Sequence, residues 1–280
     1  MIWKIRGRDH DLSRRGWIMG VLNVTPDSFS DGGAFSAPDT AIRHGLHMVS
    51  QGADVLDIGG ESTRPGASPV PVEEEIARVL PVLKGLRAAS GDFLISIDTS
   101  KAAVAEATLA EGADIVNDVT GLCGDERMSG VVARSGAGVV AMHMQGTPTT
   151  MQVSPHYEDV VADVGEFFRQ ALIRAVGCGI DPMSIALDPG IGFGKTPEHN
   201  RLLLRGLAAF LPLGRPLLVG FSRKSFLGLI AGSSRIEDRF WPGVALTGFC
   251  RDRGARIFRV HDVKPHLEAL RTTEAILCDE

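Results

Sequence analysis

Short apolar runs rich in β-branched residues recur along the chain, and each breaks off into polar residues. They read "WIMGVLNV" from Trp17, "VLDIGG" from Val55, "FLISIDTS" from Phe93 and "DIVNDV" from Asp114. Four more follow: "GVVAMHM" from Gly138, "SIALDPG" from Ser184, "PLLVGFSRK" from Pro216 and "RIFRVHDV" from Arg256. These runs predict buried strands. Between them, stretches such as "PDTAIRHGLHMVSQG", "PVEEEIARVLPVLKGLRAAS", "KAAVAEATLAEG" and "YEDVVADVGEFFRQALIRAVGCG" place apolar residues three and four apart, the spacing of amphipathic helices. Gly52, Gly112 and Gly179 stand where C-terminal helix caps are expected. Strand and helix in alternation imply a parallel sheet, because parallel strands need crossover connections. Eight such units in 280 residues predict an α/β fold, a (β/α)8 TIM barrel forming a single domain over residues 1–280, with a doubly wound open sheet as the alternative. Residues 1–16 precede the first unit and are expected to form an N-terminal extension packed on or before the barrel.

In a barrel of this kind the working groups stand where strands end and the following loops begin. The predicted strand ends carry Asn23, Asp57, Asp98, Asn117, Met142 with His143, Asp188, Ser222 with Lys224, and Arg259 with His261. A single Asp or Asn after a strand is a common loop starter or helix cap. Their recurrence at nearly every strand is what points to a site.

Composition narrows the partners. The chain is 44% hydrophobic and carries a net charge of −5 with no cluster of Lys and Arg, so neither nucleic acid nor an anionic membrane is an expected partner. Any phosphate recognition must be local. Four cysteines lie far apart without metal-ligand spacing, the pattern of reduced thiols rather than a disulfide framework. The N-terminal segment has scattered charges and no apolar core of a signal peptide. No run reaches about 18 uncharged apolar residues. A cytoplasmic location is expected.

Two apparent motifs fail. "GIGFGKT", from Gly190, resembles a phosphate loop, but the pattern requires Gly at the position held by Pro189, and its glycines also miss G-x-G-x-x-G spacing. The run is better suited to letting backbone approach a flat ligand. The eight histidines form no H-E-x-x-H pair; His44, His47 and His199 read as surface helix or loop residues, and no dedicated zinc site is expected.

"NVTPDSFSDGG", "DIGGESTRPGA", "SIDTSK", "NDVTG", "MHMQGTP", "DPGIGFGK", "GFSRKSF" and "RVHDV", in this order from about Trp17 to Val263, closely resemble the bacterial dihydropteroate synthase family of folate biosynthesis. The resemblance implies a (β/α)8 barrel, usually a homodimer. It implies condensation of 6-hydroxymethyl-7,8-dihydropterin pyrophosphate with p-aminobenzoate, releasing pyrophosphate and normally requiring Mg2+. A pterin edge presents donors and acceptors that need fixed carboxylates, amides and a cation in an apolar slot. By resemblance Asp98, Asn117, Asp188 and Lys224 fill these roles, with Val119, Met142 and Phe193 as walls. Lys224 would also offset repulsion between the carboxylates.

For the pyrophosphate, Arg259 and His261 stand two residues apart on one strand, so their side chains share a side. The resemblance makes Asn23 the metal and pyrophosphate contact, with Ser222 a further hydroxyl donor. Mg2+ keeps several waters and binds through few protein oxygens, in keeping with a sequence that shows no carboxylate cage. The polar loops Thr25 to Gly33 and Glu61 to Gly66 are expected to act as lids that shield an electrophilic pterin methylene from water. By resemblance Phe29, Asp31, Thr63, Arg64 and Pro65 build the p-aminobenzoate pocket with Phe193 and Ser222, and Asp31 stabilises developing positive charge. Asp31, Lys224, Arg259 and Asn23 are the expected catalytic set; Glu61 and Asp57 are candidates for orienting a loop. A pterin-dependent methyltransferase of similar barrel design would share the pterin-reading groups but has no need of the two long loops or of Arg259 with His261. A non-catalytic pterin-binding homologue would carry the same motifs.

Overall fold

In the computed structural model, which describes residues 1–25, 37–63, 66–89 and 91–277, eight parallel strands form one sheet. In chain order these are β3 (Trp17–Asn23), β4 (Val55–Gly59), β5 (Leu94–Asp98) and β6 (Ile115–Asp118), then β7 (Gly138–Met142), β8 (Ile185–Asp188), β9 (Leu218–Val219) and β10 (Ile257–Val260). The spatial order is β8-β7-β6-β5-β4-β3-β10-β9. A parallel bridge between Leu187 and Leu217, with Leu187 N–H donating to the Pro216 carbonyl at 2.9 Å, brings the two ends together. The closed barrel excludes the open-sheet alternative.

Helices α1 (Ala37–Ser50), α2 (Val72–Ala88), α3 (Ala102–Ala110) and α4 (Met128–Ser135) follow β3 to β6, while α5 (Val160–Gly177) and α6 (Pro197–Arg205) follow β7 and β8. After β9 come α7 (Ser225–Ile230) and α8 (Phe240–Asp252), and α9 (Val263–Leu277) follows β10. Local chemistry sets several ends: the Asp159 carboxylate accepts from the N–H groups of Val161 and Ala162 at the start of α5, and Thr196 with His199 forms a capping box ahead of Pro197 in α6. Gly52, Gly112 and Gly179 all adopt positive φ just past their helices, as the caps predicted. Among the described residues no helix is long and apolar enough to cross a membrane.

The first residues form an antiparallel hairpin, β1 (Ile2–Ile5) with β2 (Arg8–Asp11). Trp3, Ile5 and Leu12 are buried and join one apolar cluster with Met19, Val55, Ile115, Val140, Ala186, Leu218 and Ile257, one residue from each of seven barrel strands. The Trp3 indole N–H donates to the Ser184 carbonyl at 2.8 Å. The hairpin therefore plugs the N-terminal end of the barrel. Its burial also fixes strand parity, because side chains alternate across a strand. If Met19, Val55, Ile115, Val140, Ala186, Leu218 and Ile257 face the interior, so do Asn23, Asp57, Asn117, Met142, Asp188, Ser222, Arg259 and His261 above them. The interior is apolar at the floor and polar at the mouth.

Candidate active site

The sheet register sets Asn23 beside Gly59, Gly59 beside Asp98, and Asp98 beside Asn117. Four neighbouring strands thus bring their terminal inward residues to one level. Asp57, Asp98, Asn117 and Asp188 are all buried there, Asp57 completely. Isolated buried carboxylates cost several kcal/mol, so each needs partners. The Asn117 amide donates to Asp57 Oδ2 at 3.0 Å, and the Arg259 guanidinium crosses from β10 to donate to Asp57 Oδ2 and to Asp98 Oδ2, each at 2.6 Å. The second oxygens, Asp57 Oδ1 and Asp98 Oδ1, are buried without a hydrogen-bond partner among the described residues. Two acceptors with no donor mark a place where a ligand's N–H groups would complete the structure.

The charges are perturbed accordingly. Burial pushes the Asp98 carboxyl up to about 7; Arg259 opposes this, while Asp57 and Glu75 add to it by repulsion. Asp188 is also raised by burial, against the N–H of Gly190, which donates to its Oδ1 at 2.7 Å. Burial lowers the Lys224 ammonium to about 7 despite the attraction of Asp188 and Asp98. For Arg259 burial works against the charge, but Asp57 and Asp98 outweigh it and hold its pKa above the usual range.

The segment after β8 forms one wall. Gly190 has φ +65°, and a Cβ there would lie 1.9 Å from the His143 carbonyl oxygen, so no side chain fits. Successive carbonyls beyond it are each gripped by a side chain. Lys224 donates to Ile191, Gln152 to Gly192 at 2.8 Å, Lys195 to Phe193 at 2.9 Å and Tyr157 to Gly194 at 2.8 Å. Phe193 is thereby held with its ring centroid 4.1 Å from the Lys224 ammonium, within cation–π range. Lys195 is almost fully buried against the His143 ring, 2.9 Å from Nδ1, and burial lowers it to about 7. Val119 and Met142 are buried nearby on the same inward parity.

At the rim, the Ser222 hydroxyl lies 3.1 Å from His261 Nδ1 and accepts from the His261 backbone N–H at 3.3 Å. Arg259 and His261 share a strand side as expected; the guanidinium is turned onto the two carboxylates, while the His261 ring lies against Ser222. Asp57, expected only to orient a loop, is instead the hub that joins Asn117 to Arg259. Thr63 is half-buried beyond β4. Phe29, Asp31, Arg64 and Pro65 lie outside the described residues. Among those described, no group of three or more His, Cys, Asp or Glu is arranged to hold a metal. Lys195 and Lys101 play larger parts than the sequence reading gave them. Only their place inside "DPGIGFGK" and "SIDTSK" pointed to them.

Comparison with known proteins gives a consistent result. A family described as pterin binding enzyme matches residues 19–261. A Synechocystis dihydropteroate synthase is 44% identical over 266 residues, 95% of this chain and 92% of the relative. Among solved structures, the Xanthomonas albilineans dihydropteroate synthase with 4-aminobenzoic acid matches with a TM-score of 0.92 at 42% identity over the whole of both chains. The Yersinia pestis dihydropteroate synthase in a sulfonamide drug complex matches with a TM-score of 0.91 at 44% identity over 99% of each.

Proposed function

The chain belongs to the family of pterin-binding enzymes and resembles its dihydropteroate synthases over nearly its full length. From that membership and the barrel mouth we propose that it condenses 6-hydroxymethyl-7,8-dihydropterin pyrophosphate with p-aminobenzoate. The arylamine nitrogen forms a bond to the pterin methylene, the bond from that carbon to the pyrophosphate oxygen breaks, and the amine loses a proton. The observation that carries this reading is the pair of buried acceptors Asp57 Oδ1 and Asp98 Oδ1, without a hydrogen-bond partner among the described residues, in the field of the cations Arg259 and Lys224. A pterin edge supplies N–H donors to the carboxylates and ring acceptors to the ammonium.

In this reading Asp98, Asn117 and Asp188 hold the pterin, with Val119 and Met142 against its faces. Lys224 exchanges the Ile191 carbonyl for a ring acceptor, and Phe193 lies between the two substrates. Asn23, Ser222 and His261 face the departing pyrophosphate from the rim. Arg259 neutralises Asp57 and Asp98 before substrate enters and presents its remaining donors to the leaving group. Thr63 belongs to the p-aminobenzoate side together with Phe29, Asp31, Arg64 and Pro65, whose roles rest on the family resemblance alone.

Mg2+ is part of the proposal. The amide oxygen of Asn23 is a hard donor at the mouth, and the neighbouring position on β4 is Gly59, which leaves that oxygen uncrowded. One such oxygen suits an ion whose other ligands are water and phosphate oxygens. When bound, Mg2+ would offset pyrophosphate charge as it leaves. We also assign the protein to the cytoplasm, a reading supported by the free thiols Cys123, Cys178 and Cys250. A homodimer is supported by exposed apolar side chains on α7, α8 and the segment between them: Leu229, Ile230, Ile236 and Trp241.

The test is product formation. Purified protein with both substrates and Mg2+ is expected to yield 7,8-dihydropteroate and pyrophosphate in equal amounts, with the rate falling on chelation. Tight pterin binding without product would make it a non-catalytic homologue and overturn the proposal.

A further inference from the structure

Lys101 occupies a position where a helix gains nothing from it. It is the N-cap of α3, makes no side-chain cap, and brings positive charge to the positive end of the helix dipole. The N–H of Ala102, the first residue of the helix, donates to Asp125 Oδ2 at 3.0 Å. The Lys101 ammonium instead bridges two carboxylates, contacting Glu61 Oε2 at 2.5 Å and also Glu75 Oε2. Glu75, on α2, is completely buried, so the lysine is the cation that makes its charge tolerable. Burial opposes protonation of Lys101, but the two carboxylates outweigh it and raise its pKa.

Glu61 gives the cluster its direction. Its Oε2 also accepts from the Val70 backbone N–H at 2.8 Å, which draws the two ends of the segment between them into a neck. The neck is braced on the α2 side as well. Arg78 donates to the Gly60 carbonyl at 2.8 Å, and a Cβ on Gly60 would lie 3.0 Å from Glu75 Cγ. The segment so anchored carries Thr63, and its Gly66 N–H points to the Pro148 carbonyl across the mouth at 3.4 Å. Lys101 also begins immediately beyond the turn that follows Asp98, so one short stretch touches both the pterin floor and the neck.

We propose that Lys101 is a positioning residue for the second substrate: by bridging Glu61 to Glu75 it sets where the segment carrying Thr63 stands over the bound pterin, and it acts on p-aminobenzoate without contacting it. The inference rests on the synthase reading above. It separates two affinities, since the pterin groups on β5, β6 and β8 are held by the barrel and not by the neck.

Lys101→Met leaves two carboxylates facing each other and risks the fold, so the test pairs it with Lys101→Met/Glu75→Gln, which removes the buried charge along with its partner. Wild type and both variants are compared for KM of p-aminobenzoate, for kcat, and for pterin affinity by calorimetry. The expected result in the double variant is a rise of about 10-fold or more in KM for p-aminobenzoate, with pterin affinity within about 2-fold of wild type. Lys101→Arg, which keeps the bridge, should restore most of the KM. An unchanged KM in a folded double variant, or equal loss of both affinities, overturns the positioning role. A wild-type protein that makes no dihydropteroate overturns the functional reading and this inference with it.

Discussion

At the scale of single residues, Asp98 is where charge and recognition meet. Its Oδ2 is taken by Arg259 and its Oδ1 has no partner among the described residues. Asp98→Asn replaces an acceptor with a donor at a spot that needs an acceptor, and should weaken pterin binding by about 10-fold or more, from a loss of about 1–3 kcal/mol, with the barrel still folded by circular dichroism. Calorimetry at wild-type affinity would remove Asp98 from the site. The carboxyl is raised to about 7 by burial and by Asp57, against Arg259. In the free protein it therefore holds its proton between the ordinary carboxylate range and about 7. Pterin donors require the ionised form, so binding should tighten as pH rises through that window and should release a proton at its lower end. Lys224, lowered to about 7, loses its proton on the far side and should limit affinity above it. Calorimetry across the window in buffers of different ionisation enthalpy checks this. A flat profile would mean that Asp98 is already ionised in the free protein.

At the scale of elements, the N-terminal hairpin and the segment after β8 do opposite jobs. The segment is held by side chains from the stretches after β7 and β9 and by its own Lys195, and this bracing serves the Phe193 wall. The hairpin serves the barrel. Trp3 fills the floor with its indole N–H satisfied by Ser184, so Trp3→Ala should cost about 3–5 kcal/mol through lost burial and a cavity. Urea denaturation should register that loss while the pterin affinity of the folded protein stays at the wild-type value. A matching loss of affinity would show that the floor and the mouth are mechanically coupled.

At the scale of the whole molecule, α7, α8 and the segment between them expose four large apolar side chains, Leu229, Ile230, Ile236 and Trp241. Trp241 is 72% exposed, and Leu229 and Ile230 exceed 60%, unusual for large apolar side chains that serve only a monomer. If this face joins two copies, Trp241→Glu should convert a dimer to a monomer in sedimentation measurements, and the variant should keep pterin affinity because the carboxylates and amide assigned to the pterin stand on β5, β6 and β8. A wild-type chain that sediments as a monomer at every accessible concentration would remove the dimer from the proposed function.

The sequence by itself determined the strand and helix alternation, the strand ends that carry Asp98, Asn117, Asp188, Arg259 and His261, and that the last two share a side of their strand. Those features follow from local periodicity, which a single stretch of chain expresses alone. It did not determine which of these groups meet. Asp57 and Arg259 are separated by 202 residues, and their contact depends on how the strands stagger as the barrel closes. The same holds for Lys101, whose role is invisible until α2 brings Glu75 beneath it. Only the closed barrel decided that Arg259 rests on two carboxylates rather than beside His261, because a long side chain at a strand end can reach several neighbours and the one it chooses is set by uncompensated buried charge.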